Sequence, residues 1–179
     1  MNSIINLNRI KYILPEKTKT QLYNTLVTPH FAYASVAWGG CSKENERKLQ
    51  VAQNFALRAI KNKRKRESAK EILKEMKFLN LVEKRQVHEA VFITKSLLNK
   101  TSQNITNEYL NYLSIEKTRQ ATNGKLKIPK HNKSIFKRSP LYRTIKVWND
   151  IPNTISRDNP KTFKTIYQNH LIKLRSEQP

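Results

Sequence analysis

SKENERKLQVAQNFALRAIKNKRKR (residues 42–66) decides how the rest of the chain is read. Ser42 can cap a helix, and Leu49, Ala52, Ala56 and Ile60 then recur on one face with Phe55 alongside. The spacing predicts a helix running to about Lys65, with an apolar stripe that needs partners. Its end turns sharply basic through Arg58, Lys61, Lys63, Arg64, Lys65 and Arg66. A buried face and a cationic end on one element set two questions, namely what packs and what binds.

The flanking sequence answers the first. Upstream, Ile4, Ile5, Leu7, Ile10, Ile13 and Leu14 have rough helical spacing over residues 3–14, and Pro15 stops that segment. Leu22, Tyr23, Leu26 and Val27 continue as a helix from Glu16 to Pro29, where a kink is expected. Residues 31–38 are apolar on every side, so burial is expected there, and Gly39-Gly40 ends the run. Downstream, Ser68-x-x-Glu71 reads as a capping box opening a helix with Ile72, Leu73 and Met76 inward. A break at residues 78–81 leads to a helix from Val82 to about Asn99, with Val87, Ala90, Val91, Thr94, Leu97 and Leu98 on one side.

Residues 100–138 are polar, and Asn123-Gly124 favours the turn that joins two hairpin strands, at about residues 118–128. Ser139-Pro140 then opens a helix with Leu141, Ile145 and Trp148 at i, i+4 and i+7, closed by Pro152. Asn159-Pro160 opens the last helix, with Phe163, Ile166, Tyr167, His170, Leu171 and Leu174 inward. The expected fold is mainly α: a helical bundle over residues 1–100, a basic connector with a short β-hairpin over 101–138, and two C-terminal helices over 139–179 packing on the bundle.

Charge bears on the second question. The 179 residues hold 35 Lys+Arg against 13 Asp+Glu, a net charge of +22. Residues 1–100 carry twenty basic and eight acidic side chains, and residues 101–179 carry fifteen and five. Such an even excess opposes compaction unless a polyanion screens it, and nucleic acid is the commonest polyanionic partner. Residues 117–146 contain ten Lys/Arg and no acid: Lys117, Arg119, Lys125, Lys127, Lys130, Lys133, Lys137, Arg138, Arg143 and Lys146. A solvated face normally mixes signs, and this one does not. Tyr142 and Trp148 offer rings for stacking, although the setting of Trp148 on its helix favours a core anchor. The run at 61–66 reads as a phosphate surface, a nuclear import signal, or both. An intracellular, nuclear setting is the expectation.

Catalytic chemistry finds no footing. Phosphodiester chemistry on two metals needs clustered carboxylates, whereas the only aspartates, Asp150 and Asp158, sit at predicted helix ends as turn or cap residues. Glu67, Glu71 and Glu75 recur at i, i+4 near Lys70 and Lys74, the pattern of a solvated face. His30, His88, His131 and His170 lack metal-ligand spacing, and one cysteine, Cys41, makes neither a disulfide framework nor a zinc site. There is no phosphate-binding glycine loop. No catalytic residue, metal, cofactor or small-molecule substrate is expected, and no stretch is apolar for long enough to predict a membrane span.

Several segments in order carry a resemblance: LYNTLVTPHFAYASVAWGG (22–40), KLQVAQNFALRAI (48–60), EILKEMKFLNLVEKRQVHEAVFITKSLLNK (71–100), NGKLKIPKHNKSIFKRSPLYRTIKVWNDIP (123–152) and FKTIYQNHL (163–171). Together they resemble the region after the polymerase core in reverse transcriptases of jockey-like non-LTR retrotransposons. Departures occur at Ala32, Pro140, Thr144 and Ile151, and Lys77 and Asn80 stand where the family has glycine and proline. The resemblance implies that residues 1–100 are the thumb, which grips the primer–template duplex, and that residues 101–179 are a C-terminal extension. It also implies that the catalytic Tyr-x-Asp-Asp box of an RNA-directed DNA polymerase belongs to a preceding palm. RNA or an RNA/DNA duplex is then the expected partner, with an upstream polymerase core beside it. The alternative is a helical interaction module that docks on such a core without binding nucleic acid, marked by an exposed apolar patch near residues 31–38.

Overall fold

The computed structural model describes residues 2–113 and 124–177. It is mainly helical and divides into two compact units. Unit 1 comprises Met1–Tyr33, Cys41–Lys84 and Leu171–Pro179, and unit 2 comprises Ala34–Gly40 and Arg85–His170.

Unit 1 is built around α5 (Lys43–Ile60), whose Ser42 hydroxyl accepts the Asn45 N–H at 3.3 Å as an N-cap. Ala56, Leu57, Ala59 and Ile60 are buried against Ile4 and Leu7 of α1 (Asn2–Arg9) and Ile72 and Leu73 of α6 (Ala69–Glu75). Tyr23 and Val27 complete this core from a π-helical turn (Tyr23–Val27). That turn links α2 (Glu16–Leu22) to α3 (Thr28–Ala32), so the chain meets Pro29, which has no N–H to donate, by widening the helix. Polar side chains of α5 also serve the core. Gln53, fully buried, donates to the Tyr23 hydroxyl at 3.1 Å and the Leu79 carbonyl at 3.0 Å.

Three helix ends share one device. Asn62, Lys77 and Asn99 have φ of 54°, 52° and 53° and close α5, α6 and α7 (Leu81–Leu97). In each case the next residue donates back across the end, as Lys63 N–H does to the Arg58 carbonyl, Phe78 to Leu73 and Lys100 to Lys95. This is the Schellman closure, usually made with glycine. It ends α5 at Ile60 rather than near Lys65.

Other local expectations are corrected. The first helix stops at Arg9, before Leu14. Ser68 accepts no capping hydrogen bond, whereas Asn80 and Glu83 form the reciprocal box at the start of α7, both bonds at 2.8 Å. Residues 31–38 are not uniformly buried: Tyr33 is 82% exposed and only Ser35 is fully covered, in the short α4 (Ser35–Trp38). An apolar run of eight residues interrupted by Ala34 at φ 47° cannot turn all sides inward.

Unit 2 surrounds Ile93, Tyr109, Leu126, Ile145 and Trp148. Tyr109 comes from α8 (Gln103–Leu110), a helix inside the expected connector, which its polar composition concealed. Ser139 caps α9 (Pro140–Asp150) by accepting the Tyr142 N–H at 3.3 Å, with proline at the first turn as expected. Phe163 and Tyr167 are buried on α10 (Pro160–Glu177), while Ile166 is partly exposed. Burial pushes the Tyr167 hydroxyl up to about 12.

The expected hairpin at about 118–128 lies largely outside the described residues. In its described part, Leu126 forms an isolated antiparallel bridge with Leu113, and no strand forms among the described residues. The Asn149 side chain takes the place of a second strand: its Oδ1 accepts the Leu126 N–H at 2.9 Å and its Nδ2 donates to the Leu126 carbonyl at 2.8 Å. Trp148 is a core anchor, donating to the Gly124 carbonyl at 3.0 Å, with the Arg157 guanidinium 4.1 Å from its ring centre.

Candidate nucleic-acid interface

The basic residues divide into those spent inside the protein and those left at its surface. In unit 1, Arg58 Nε donates to the Glu67 carbonyl at 2.7 Å. Lys61 lies 2.6 Å from both Glu16 and Glu75, and hydrogen bonds, first to Glu16 and then to Glu75, raise its pKa. Lys63 pairs with Glu67 at 3.0 Å, which raises its pKa also. Glu67 Oε1 also accepts the Arg64 backbone N–H at 2.6 Å, and this bond and the Lys63 contact hold the carboxyl below its usual range. The basic run is therefore a pinned turn rather than a loose tail. Its Arg64, Lys65 and Arg66 side chains are exposed and form no ion pair among the described residues.

In unit 2 the cations sit on a distinct frame. The His131 ring stacks at 6.0 Å on Phe136 and meets Tyr142 edge-on at 5.2 Å, while Phe136 and Tyr142 are 6.3 Å apart. This half-buried cluster fixes a 3-10 turn (Ser134–Arg138) against α9. Tyr142 is thus engaged in holding the frame. Lys127, Lys130, Lys133, Lys137, Arg138 and Lys146 are exposed on or beside it, and Lys125 is half-buried. None of the seven enters an ion pair among the described residues. Arg119 lies outside the described residues.

Arg143 is an interior residue. Only 14% of its side chain is exposed. Its Nε and Nη2 each lie 2.8 Å from Glu89 Oε1, Nη1 donates to the Arg138 carbonyl, and Nη2 donates to the Val36 carbonyl. One guanidinium thereby joins α4, α7, the 3-10 turn and α9. Burial pushes the Glu89 carboxyl up, and Arg143 opposes that shift. Gly39-Gly40, which reads in sequence as a helix break, is the cradle for this group. A Cβ on Gly40 would collide with the Arg138 carbonyl, and one on Gly39 would lie 2.8 Å from Arg143 Nη2.

Sequence reasoning missed Glu89 and Lys19. Glu89 falls on the side of α7 opposite the apolar face read from spacing, so its burial left no local signal in the sequence. Lys19 is 1% exposed, and its Nζ donates to the Lys11 carbonyl at 3.0 Å and to Asn62 Oδ1 at 2.7 Å. Burial lowers its pKa. Nothing local in sequence marks it.

The Asp158 carboxylate accepts the Ser156 hydroxyl at 2.7 Å, and Asn159, rather than Asp158, accepts the Lys161 N–H at the start of α10. Among the described residues no three His, Cys, Asp or Glu side chains converge as a metal site, and no helix is long and apolar enough to cross a membrane. No family model, no curated protein and no solved structure matches the chain.

Proposed function

We propose that this chain is a non-catalytic, backbone-binding portion of a nucleic-acid enzyme, related to the thumb and post-thumb region of non-LTR reverse transcriptases. The observation that carries the reading is the set of exposed cations without acidic partners, on the pinned turn of unit 1 and the aromatic-braced segment of unit 2. Each phosphate neutralised releases condensed counterions, so affinity comes from mass action on salt rather than from base contacts. The resemblance points to RNA or an RNA/DNA duplex as the partner, and backbone neutralisation implies weak sequence preference. The residues offered are Arg64, Lys65 and Arg66, together with Lys125, Lys127, Lys130, Lys133, Lys137, Arg138 and Lys146. Arg58, Lys61 and Arg143 serve the fold, and Lys63 is shared with Glu67. The reacting carboxylates of a parent polymerase would lie on another segment.

The test is a salt titration of the purified chain on a duplex. With roughly 6–8 phosphate contacts, log K falls against log salt with a slope of about −5 to −7. A slope near zero removes the proposal.

A second reading, a helical module docking on a polymerase core, is favoured by one feature of unit 1. A cleft of about 190 Å³ is lined by Ile4, Val27, Phe31, Leu49 and Ala52, with Ser3 and His30 at its polar edge. Leu26 and Val51, both more than half exposed, lie on the elements that form it. This reading expects no gel shift by the chain alone.

A further inference from the structure

The turn that ends α5 and the loop that follows α1 lie far apart in sequence, and unit 1 fastens them together twice. Lys19 Nζ holds the Lys11 carbonyl at 3.0 Å and Asn62 Oδ1 at 2.7 Å. Lys61, the neighbour of Asn62, lies 2.6 Å from Glu16 at the start of α2. A buried ammonium needs such acceptors, because leaving it unbonded away from water is costly. The loop between α1 and α2 is therefore bolted beside the basic turn.

That loop presents what the turn lacks. Tyr12 is 76% exposed, immediately after the bolted Lys11, and Ile13 beside it is 80% exposed. The Lys11 ammonium lies over one face of the Tyr12 ring, 4.8 Å from its centre, so a base would stack on the other face. On the other side of the bolt, Arg64, Lys65 and Arg66 follow Asn62 within four residues. The nearby acids are already committed: Glu16 and Glu75 to Lys61, and Glu67 to Lys63 and the Arg64 backbone. A ring open to solvent beside cations free of acids is the pairing used by single-strand binders, where rings stack on bases and cations track the backbone. Bases inside a duplex are stacked on one another and offer no face to such a ring.

We propose that unit 1 carries a site for unpaired nucleotides, in which Tyr12 stacks on a base while Arg64, Lys65 and Arg66 take the flanking phosphates. This deepens the function proposed above and rests on it. Lys19 touches no ligand in this arrangement; it is a positioning residue that keeps ring and cations together.

The test uses the full chain and fluorescence anisotropy with three probes: an oligouridylate, an oligodeoxyuridylate of equal length and a blunt duplex. Tyr12→Ala is expected to weaken binding of both single strands by about tenfold, the effect of one lost stacked base, and to change duplex binding less than twofold. Tyr12→Phe keeps the ring and should bind like the wild type. Comparing the two single strands assigns any preference for ribose or deoxyribose. If the wild-type chain binds no probe, both this site and the proposed function fail. If it binds all three and Tyr12→Ala binds single strands unchanged, the stacking site alone is overturned. Because Tyr12 is exposed, its truncation leaves the core of unit 1 in place.

Discussion

Lys77 closes α6 in a backbone conformation that suits glycine. At φ 52° its Cβ sits in the left-handed region that costs a side chain of this kind about 1 kcal/mol. The exposed side chain offers no compensating bond. Lys77→Gly should therefore stabilise the chain by about 1 kcal/mol in a urea titration, less the entropy glycine gains when unfolded. Lys61 gives a prediction in pH. Its pKa in the folded state is raised above the ordinary 10.5 by Glu16 and Glu75. The sign follows directly: its contribution is complete below 10.5 and is lost as pH rises through the folded value. Lys61→Met should cost about 0.5–1 kcal/mol, the range for pairs with exposed partners. The gap in Tm between variant and wild type should stay constant from pH 7 to 10 and narrow above that.

At the scale of elements, the same residue type does opposite jobs on adjoining pieces of chain. Arg143 on α9, Lys137 on the 3-10 turn and Lys133 just before it read alike in sequence, since all belong to one acid-free run. In the fold, Arg143 is sealed against Glu89, while the two lysines are exposed. Arg143→Met should lose about 3–5 kcal/mol of stability, because it strands a buried carboxylate whose pKa burial already raises. Thermal melts would register that loss, whereas the triple variant Lys130→Ala, Lys133→Ala, Lys137→Ala should melt within a degree or two of the wild type. The triple variant should instead reduce the salt slope of binding by about 3. Equal effects of both changes on binding and on melting would contradict the division between interior and surface cations. The connector illustrates a related point. Its polar sequence hides α8 because Tyr109 and Thr106 alone are buried there, the Tyr109 hydroxyl meeting Thr144 at 2.7 Å. Ile105 packs against the same core, but three inward residues on an eight-residue helix set among Ser, Thr, Asn and Gln are too few to show a clear period.

For the molecule as a whole, the net charge of +22 sets the terms of stability. Self-repulsion between exposed lysines opposes folding and is weakened by salt, so Tm should rise when ionic strength goes from 20 to 300 mM. Binding should move the other way, and a polyanion should raise Tm most at low salt. A protein whose Tm falls over the same range would show that its ion pairs, not its unpaired cations, dominate.

Residue chemistry in linear order was enough to establish the helical class, the Ser42 and Ser139 caps, the prolines that open α9 and α10, and the cationic excess. Each depends on neighbours within one or two turns, where spacing carries the physics. Only the tertiary structure decided which cations remain available. Arg143 and Glu89 lie 54 residues apart, and Lys19 and Asn62 lie 43 apart. Burial, which makes those pairings compulsory, is a property of surfaces brought together across the chain.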